Sequence, residues 1–191
     1  MHPALEFDVR DGISLFKHQA QMGDAFLQKM AAQSGVGTFF SVIAPNGGKT
    51  LASSYCMHLA KTHLGVQNFI VLAPNVIIRG AWPPEALNFG LQLSTEIDSK
   101  KIAQRKIDNV LDGFCVTYQN VASFPEVYRG WINSAKSCVV FDEIHHLGTN
   151  QSWGKACKFA FENAEVKICL SGTPFRSDEA QIPFLEYQQC T

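Results

Sequence analysis

With 191 residues, 46% of them apolar and 17% charged, the chain suits one globular domain and is too apolar to be a disordered segment. A net charge of −1 excludes a basic field over the whole surface, so any nucleic-acid partner has to be gripped locally. No apolar run reaches the ~18 residues of a membrane helix, and the opening MHPALEFDVR lacks the charged-then-apolar layout of a secretion signal.

In chain order, strand-like and helix-like segments alternate. Leu15 to Met30 has apolar residues at helical spacing and predicts an opening helix. Thr38 to Ala44 (TFFSVIA) predicts a buried strand that ends in a Gly-rich turn, and Lys49 to Leu64 returns to helical spacing. Asn68 to Ala73 (NFIVLA) is a second strand, followed by Pro74, a turn, and a helix reaching about Phe89. A polar helix is expected around Ser99 to Leu111, then the strand Phe114 to Tyr118 (FCVTY). Pro125 to Ala135 reads as helix, Cys138 to Asp142 (CVVFD) as strand, Trp153 to Asn163 as helix and Val166 to Leu170 (VKICL) as the last strand. Short apolar strands separated by helices predict βαβ units, an α/β fold with a mostly parallel sheet of about five to seven strands and helices on both faces. Such sheets bind ligands beyond the C-terminal strand ends. The tail after Arg176 has no usable periodicity.

Three strings fall at those strand ends: APNGGKT (Ala44 to Thr50), FDEIHH (Phe141 to His146) and SGTPFR (Ser171 to Arg176). A strand running through a Gly-rich turn into a helix turns backbone N–H groups inward and makes a nest for polyphosphate. Asn46, Gly47 and Gly48 would form the cradle, Lys49 would reach the β- and γ-phosphates, and the Thr50 hydroxyl would ligate Mg²⁺. Ile43 stands where the usual loop has its first glycine, which leaves two readings. Without a gap, Asn46 occupies a loop-glycine position, and Asn is the next-best residue at positive φ. With a gap, a familiar A-P-x-G-x-G-K-T loop has lost one residue before Gly48. Asp142 and Glu143, adjacent at the end of a buried strand, need a cation or hydrogen bonds to compensate them. An Mg²⁺·ATP complex supplies this: Asp142 would hold the metal, and Glu143 would orient and deprotonate the attacking water. The alternatives are an ordinary Gly-Gly turn and an acidic helix cap. His145 and His146 lack a Cys or His cluster that would make them metal ligands, and they are expected to couple the nucleotide site to its surroundings.

The set resembles the first motor domain of superfamily 2 helicases and translocases of the DExH kind, over roughly residues 15–187. Asp142-Glu143-Ile144-His145 matches the D-E-x-H box, and Ser171-Gly172-Thr173 matches the motif that links nucleotide state to nucleic-acid grip. Phe16-Lys17-His18-Gln19 resembles the element ahead of the phosphate loop, where Gln19 would read adenine. Leu72-Ala73-Pro74-Asn75 through Arg79 and Trp82 resembles motif Ia, and Val116-Thr117-Tyr118-Gln119 resembles motif Ic. The ending LSGTPFRSD looks most like bacterial and phage restriction-type and repair translocases. The resemblance implies a RecA-like three-layer sandwich in which the strand entering SGT lies between the phosphate-loop strand and the DExH strand. It also implies a nucleic-acid face at Pro74, Asn75, Arg79, Thr117 and Tyr118, where N–H groups and hydroxyls meet backbone phosphates; Trp82 and Tyr118 read alternatively as packing residues.

The expected function is the ATP-binding half of a DNA helicase or translocase, with RNA left open as the nucleic acid. In this family hydrolysis takes place between two motor domains, the second supplying an arginine finger. One such domain fills residues 1–191, and a second needs on the order of 150 more. The chain alone is therefore expected to turn over very slowly, as a fragment, a truncated reading frame or half of a split enzyme. The alternatives are a non-catalytic helicase-like interaction module, and a P-loop ATPase of the transport or partition kind, which would leave SGTPFR and VTYQ as coincidences. Six scattered cysteines (Cys56, Cys115, Cys138, Cys157, Cys169, Cys190) without a CxxC pair favour a reducing, intracellular setting with no disulfide frame, and the resemblance implies the cytoplasm of a bacterial or phage-infected cell.

Overall fold

A computed structural model describes residues 14–44, 46–104, 106–148, 152–172 and 182–185. The five apolar runs form strands β1 (Gly37–Val42), β2 (Asn68–Ala73), β4 (Gly113–Thr117), β5 (Ser137–Phe141) and β6 (Val166–Ser171). A two-residue β3 (Leu93–Ser94) completes one parallel sheet in the order β1-β6-β5-β2-β4-β3. The crossover places β6 between β1 and β5, as the family resemblance implies. Two residues carry no alternation, so β3 has no signature in the sequence.

Helices α1 (Lys17–Ala32), α2 (Lys49–Leu64), α3 (Val76–Leu87), α4 (Ser99–Ala103), α5 (Tyr118–Ser123), α6 (Pro125–Ile132) and α7 (Ser152–Phe161) connect the strands. Successive strand side chains point to opposite faces, and each face meets its own helical layer. On one face Phe69, Val71, Val140, Ile168 and Leu170 pack with Phe26, Tyr55 and Trp82 from α1, α2 and α3. On the other, Ile70, Leu72, Phe114, Val139 and Phe141 pack with Tyr118, Tyr128 and Phe161 from α5, α6 and α7. Each large side chain so buried contributes roughly 1.5–3 kcal/mol.

The polar helix expected over Ser99 to Leu111 is much shorter. Asp98 caps Lys101 N–H, but α4 ends at Ala103, because Ile102 is the only buried residue that anchors it. The six-residue α5 is too short to show a period; it starts where the Thr117 hydroxyl and Asn120 cap one another. Helix α3 runs through Pro83 and Pro84, whose missing N–H groups cost the helix two bonds, while buried Trp82 and Ala86 hold it to the sheet. Cys56, Cys115, Cys138, Cys157 and Cys169 are all buried, and burial pushes their thiols up. No helix among the described residues is long and apolar enough to cross a membrane.

Candidate nucleotide-binding site

The loop leaving β1 turns into α2 through two left-handed residues, Asn46 at φ 63° and Gly48 at φ 72°. Asn46 thus adopts the conformation that the ungapped reading requires of it. A Cβ at Gly47 would press on the Ile43 side chain and the Ala44 carbonyl, and one at Gly48 would strike the Gln19 amide. A side chain at either place is therefore disfavoured, and helix geometry leaves the N–H groups of Lys49, Thr50 and Leu51 without intrahelical acceptors. These features fit a phosphate cradle. From outside, His18 Nε2 donates to the Gly47 carbonyl at 2.9 Å, and the Gln19 amide reaches the Gly48 carbonyl at 3.4 Å. Gln19 is buried, and its Oε1 accepts from Phe16 N–H at 2.9 Å. Its amide nitrogen thus reaches the loop while its oxygen caps the start of α1. A cavity of about 360 Å³ opens beside it, lined by His18, Met22, Ser41, Val42, Ile43 and Gly47.

Asp142 and Glu143 follow β5 directly, and Asp142 N–H still bonds the Leu72 carbonyl at 2.9 Å. Lys49 Nζ donates to Glu143 Oε1 and lies 3.8 Å from Asp142 Oδ1. Burial raises the Asp142 carboxyl pKa, with Lys49, the Trp82 hydrogen bond and His145 opposing. Burial likewise lowers the Lys49 ammonium, with Asp142 opposing. Desolvation outweighs the mutual attraction for both partners. Asp142 Oδ1 is buried without a hydrogen-bond partner among the described residues, an arrangement suited to a divalent cation. Asp142 Oδ2 accepts from Trp82 Nε1 at 3.0 Å.

Glu143 sits at φ 52°, a strained conformation for a residue with a long side chain. Its Oε2 accepts from Gly172 N–H at 3.0 Å and lies 3.3 Å from His145 Nδ1. His145 Nδ1 and Ser171 Oγ share a hydrogen bond of 2.9 Å. The β5 and β6 strings thus meet across the sheet edge, and the ring of His146 packs tilted against His145, centroids 4.5 Å apart. Thr50 is half-buried in the first turn of α2. Thr173, with Pro174, Phe175 and Arg176, lies outside the described residues.

Of the residues expected at a nucleic-acid face, Tyr118 takes its packing reading: it is fully buried, donates to the Asp142 carbonyl at 2.8 Å and stacks on Trp153. The Thr117 hydroxyl is engaged by Asn120, and Asn75 Oδ1 caps Ile77 and Ile78 N–H at 3.0 Å. Pro74 and Arg79 are half-buried; Arg79 borders a cavity of about 250 Å³ shared with Thr95, Glu96, Asp98 and Asn120. Trp82 is a packing residue, as one of its two readings had it, but its indole bond to Asp142 has no signal in the sequence.

Residues 12–176 match the family model described as Type III restriction enzyme, res subunit. The chain belongs to that family. As a res-subunit relative it is 36% identical over 151 residues to an uncharacterized protein of Mycobacterium tuberculosis. It is 33% identical over 150 residues to one of Mycobacterium leprae. In each case 78% of this chain is covered and 24% of the relative, so the chain spans about a quarter of the length of the curated relatives it matches. The fold is similar to a nuclease-deletion mutant of the Type ISP restriction-modification enzyme LlaGI in complex with a DNA substrate mimic. That likeness has a TM-score of 0.58 and 18% identity, covering 85% of this chain and 18% of that one. It is similar also to the Pyrococcus furiosus Hef helicase domain, with TM-score 0.58 and 18% identity over 81% of this chain and 34% of that one. The chain has the RecA-like α/β fold of those helicase neighbours, and its family membership supports reading it as a helicase-like, ATP-binding half.

Proposed function

We propose that the chain binds ATP with Mg²⁺ and works as the nucleotide half of a DNA-dependent translocase or helicase motor. The observation that carries this reading is the convergence of Lys49, Asp142 and Glu143 at the ends of β1 and β5, beside a loop whose Gly47 and Gly48 leave little room for a side chain. A bound Mg²⁺ would neutralise phosphate charge and polarise the γ-phosphoryl group. Thr50 and Asp142 would hold it, and Lys49 and the loop N–H groups would hold the phosphates.

Before nucleotide arrives, Lys49 neutralises Glu143. Phosphate oxygens compete for the same ammonium, and drawing Lys49 away frees Oε1 while Gly172 N–H keeps Oε2 fixed. Glu143 is then oriented to take a proton from water. His145 links that carboxylate to Ser171, so a shift of the β6 turn reaches the base directly. DNA is the proposed partner along the Pro74–Arg79 segment. A second RecA-like motor domain, in cis or in trans, is proposed to contribute the arginine that completes turnover.

The Lys49–Glu143 pair also favours a second reading, a non-catalytic helicase-like module, because it neutralises Glu143 with no ligand. Turnover separates the two. ATP hydrolysis measured with duplex and single-stranded DNA, with a second motor domain supplied, should be DNA-stimulated. It should fall about 10²–10⁴-fold in Glu143→Gln while nucleotide affinity is kept. No stimulation by any DNA form, or an unaffected Glu143→Gln, leaves the non-catalytic module as the better account.

A further inference from the structure

Asp142 is held from two sides by residues that the phosphate site does not contain. Trp82, fully buried on α3, donates its indole N–H to Oδ2 at 3.0 Å. Tyr118, fully buried at the start of α5, donates its hydroxyl to the Asp142 backbone carbonyl at 2.8 Å. An aspartate carboxyl turns broadly about its last torsion, and either oxygen can face a cation. An indole N–H only donates, so it ends that freedom by claiming one oxygen. The other, Oδ1, is the buried atom without a hydrogen-bond partner, and it is the one turned toward Lys49 Nζ, 3.8 Å away.

We propose that Trp82 is a positioning residue for the metal: its indole N–H holds Asp142 Oδ2 and leaves Oδ1 as the single carboxylate oxygen presented to a divalent cation at the phosphate loop. The inference rests on the nucleotide-binding reading above. It also makes α3 more than a packing element. The helix begins at the Asn75 cap beside the proposed DNA segment and carries Trp82 two turns later, so the same rigid element touches both places. A merely structural Trp82 would contribute packing and stability, and its loss would weaken nucleotide binding equally with and without metal.

The test is nucleotide affinity of wild type and Trp82→Phe, each measured in Mg²⁺ and in EDTA. Phenylalanine keeps most of the apolar bulk and removes the donor. The expected result is unchanged affinity in EDTA and an Mg²⁺-dependent gain reduced about 10-fold or more, the usual scale for losing a group that orients a metal ligand. An equal Mg²⁺-dependent gain in the folded variant overturns the proposal and leaves the functional reading intact. No saturable ATP binding by wild type in Mg²⁺ sinks both. Should Trp82→Phe fail to fold, the wild-type indole N–H resonances decide, assigned through Trp131→Phe and Trp153→Phe. Adding Mg²⁺ to the ATP-saturated protein should shift the Trp82 resonance more than that of Trp131, and an unmoved Trp82 resonance counts as refutation.

Discussion

The strained backbone at Glu143, φ 52°, and the buried charge of Asp142 are both unfavourable to folding, and both sit where the chemistry would be done. Glu143 cannot relax to an ordinary helical conformation without leaving Gly172 N–H, Lys49 and His145. Asp142 is retained against desolvation, so a neutral isostere should relieve the fold while removing the proposed metal ligand. Asp142→Asn is therefore predicted to raise the thermal midpoint of the nucleotide-free protein by about 2–4 °C, which about 1 kcal/mol makes in a domain of this size. Differential scanning fluorimetry without nucleotide measures it, and a lowered midpoint would mean that the Lys49 and Trp82 contacts outweigh burial. The identities of Lys49, Asp142 and Glu143 were legible because paired carboxylates after an apolar strand have few neutral explanations. The roles of Trp82 and Tyr118 were not. A buried aromatic looks the same in sequence whether its polar atom meets a solvent-facing carbonyl or the metal aspartate.

Among elements, α2 and α3 form the scaffold behind the phosphate loop, and their contact includes one titratable link. His58 on α2 donates Nδ1–H to the Phe89 carbonyl just beyond α3, at 2.9 Å, and its ring packs beside Phe89. Burial lowers the His58 pKa below 6.5, with the Phe89 hydrogen bond opposing and His63 and Lys61 adding to the shift. The folded protein disfavours the imidazolium, so this contribution to stability is complete above pH 6.5 and is lost as pH falls through the lowered folded value. Urea unfolding between pH 5 and 7.5 should show a smaller acid-side loss in His58→Asn, whose amide nitrogen replaces Nδ1, than in wild type. Equal slopes would show that other groups govern that range. The strands β2 and β6 and the helix α2 were legible from solid apolar runs and helical spacing. By contrast, α4 was overread because the polar run after Ser99 buries only Ile102 within the helix. The opposite error missed α5, which side-chain caps define rather than a period.

At the scale of the whole molecule, the sheet order explains why three separated strings become one site. Inserting β6 between β1 and β5 places Ser171 in register with Val42 and brings Gly172 to Glu143. The parallel arrangement was readable from βαβ alternation, but alternation alone does not order the strands; that order followed from the family resemblance.

The account stands on nucleotide binding. Calorimetric titration of ATP with Mg²⁺ into wild type and Lys49→Ala tests it most directly. Saturable one-to-one binding by wild type that Lys49→Ala abolishes is the predicted result. No binding by wild type, or binding that survives Lys49→Ala unchanged, would contradict it.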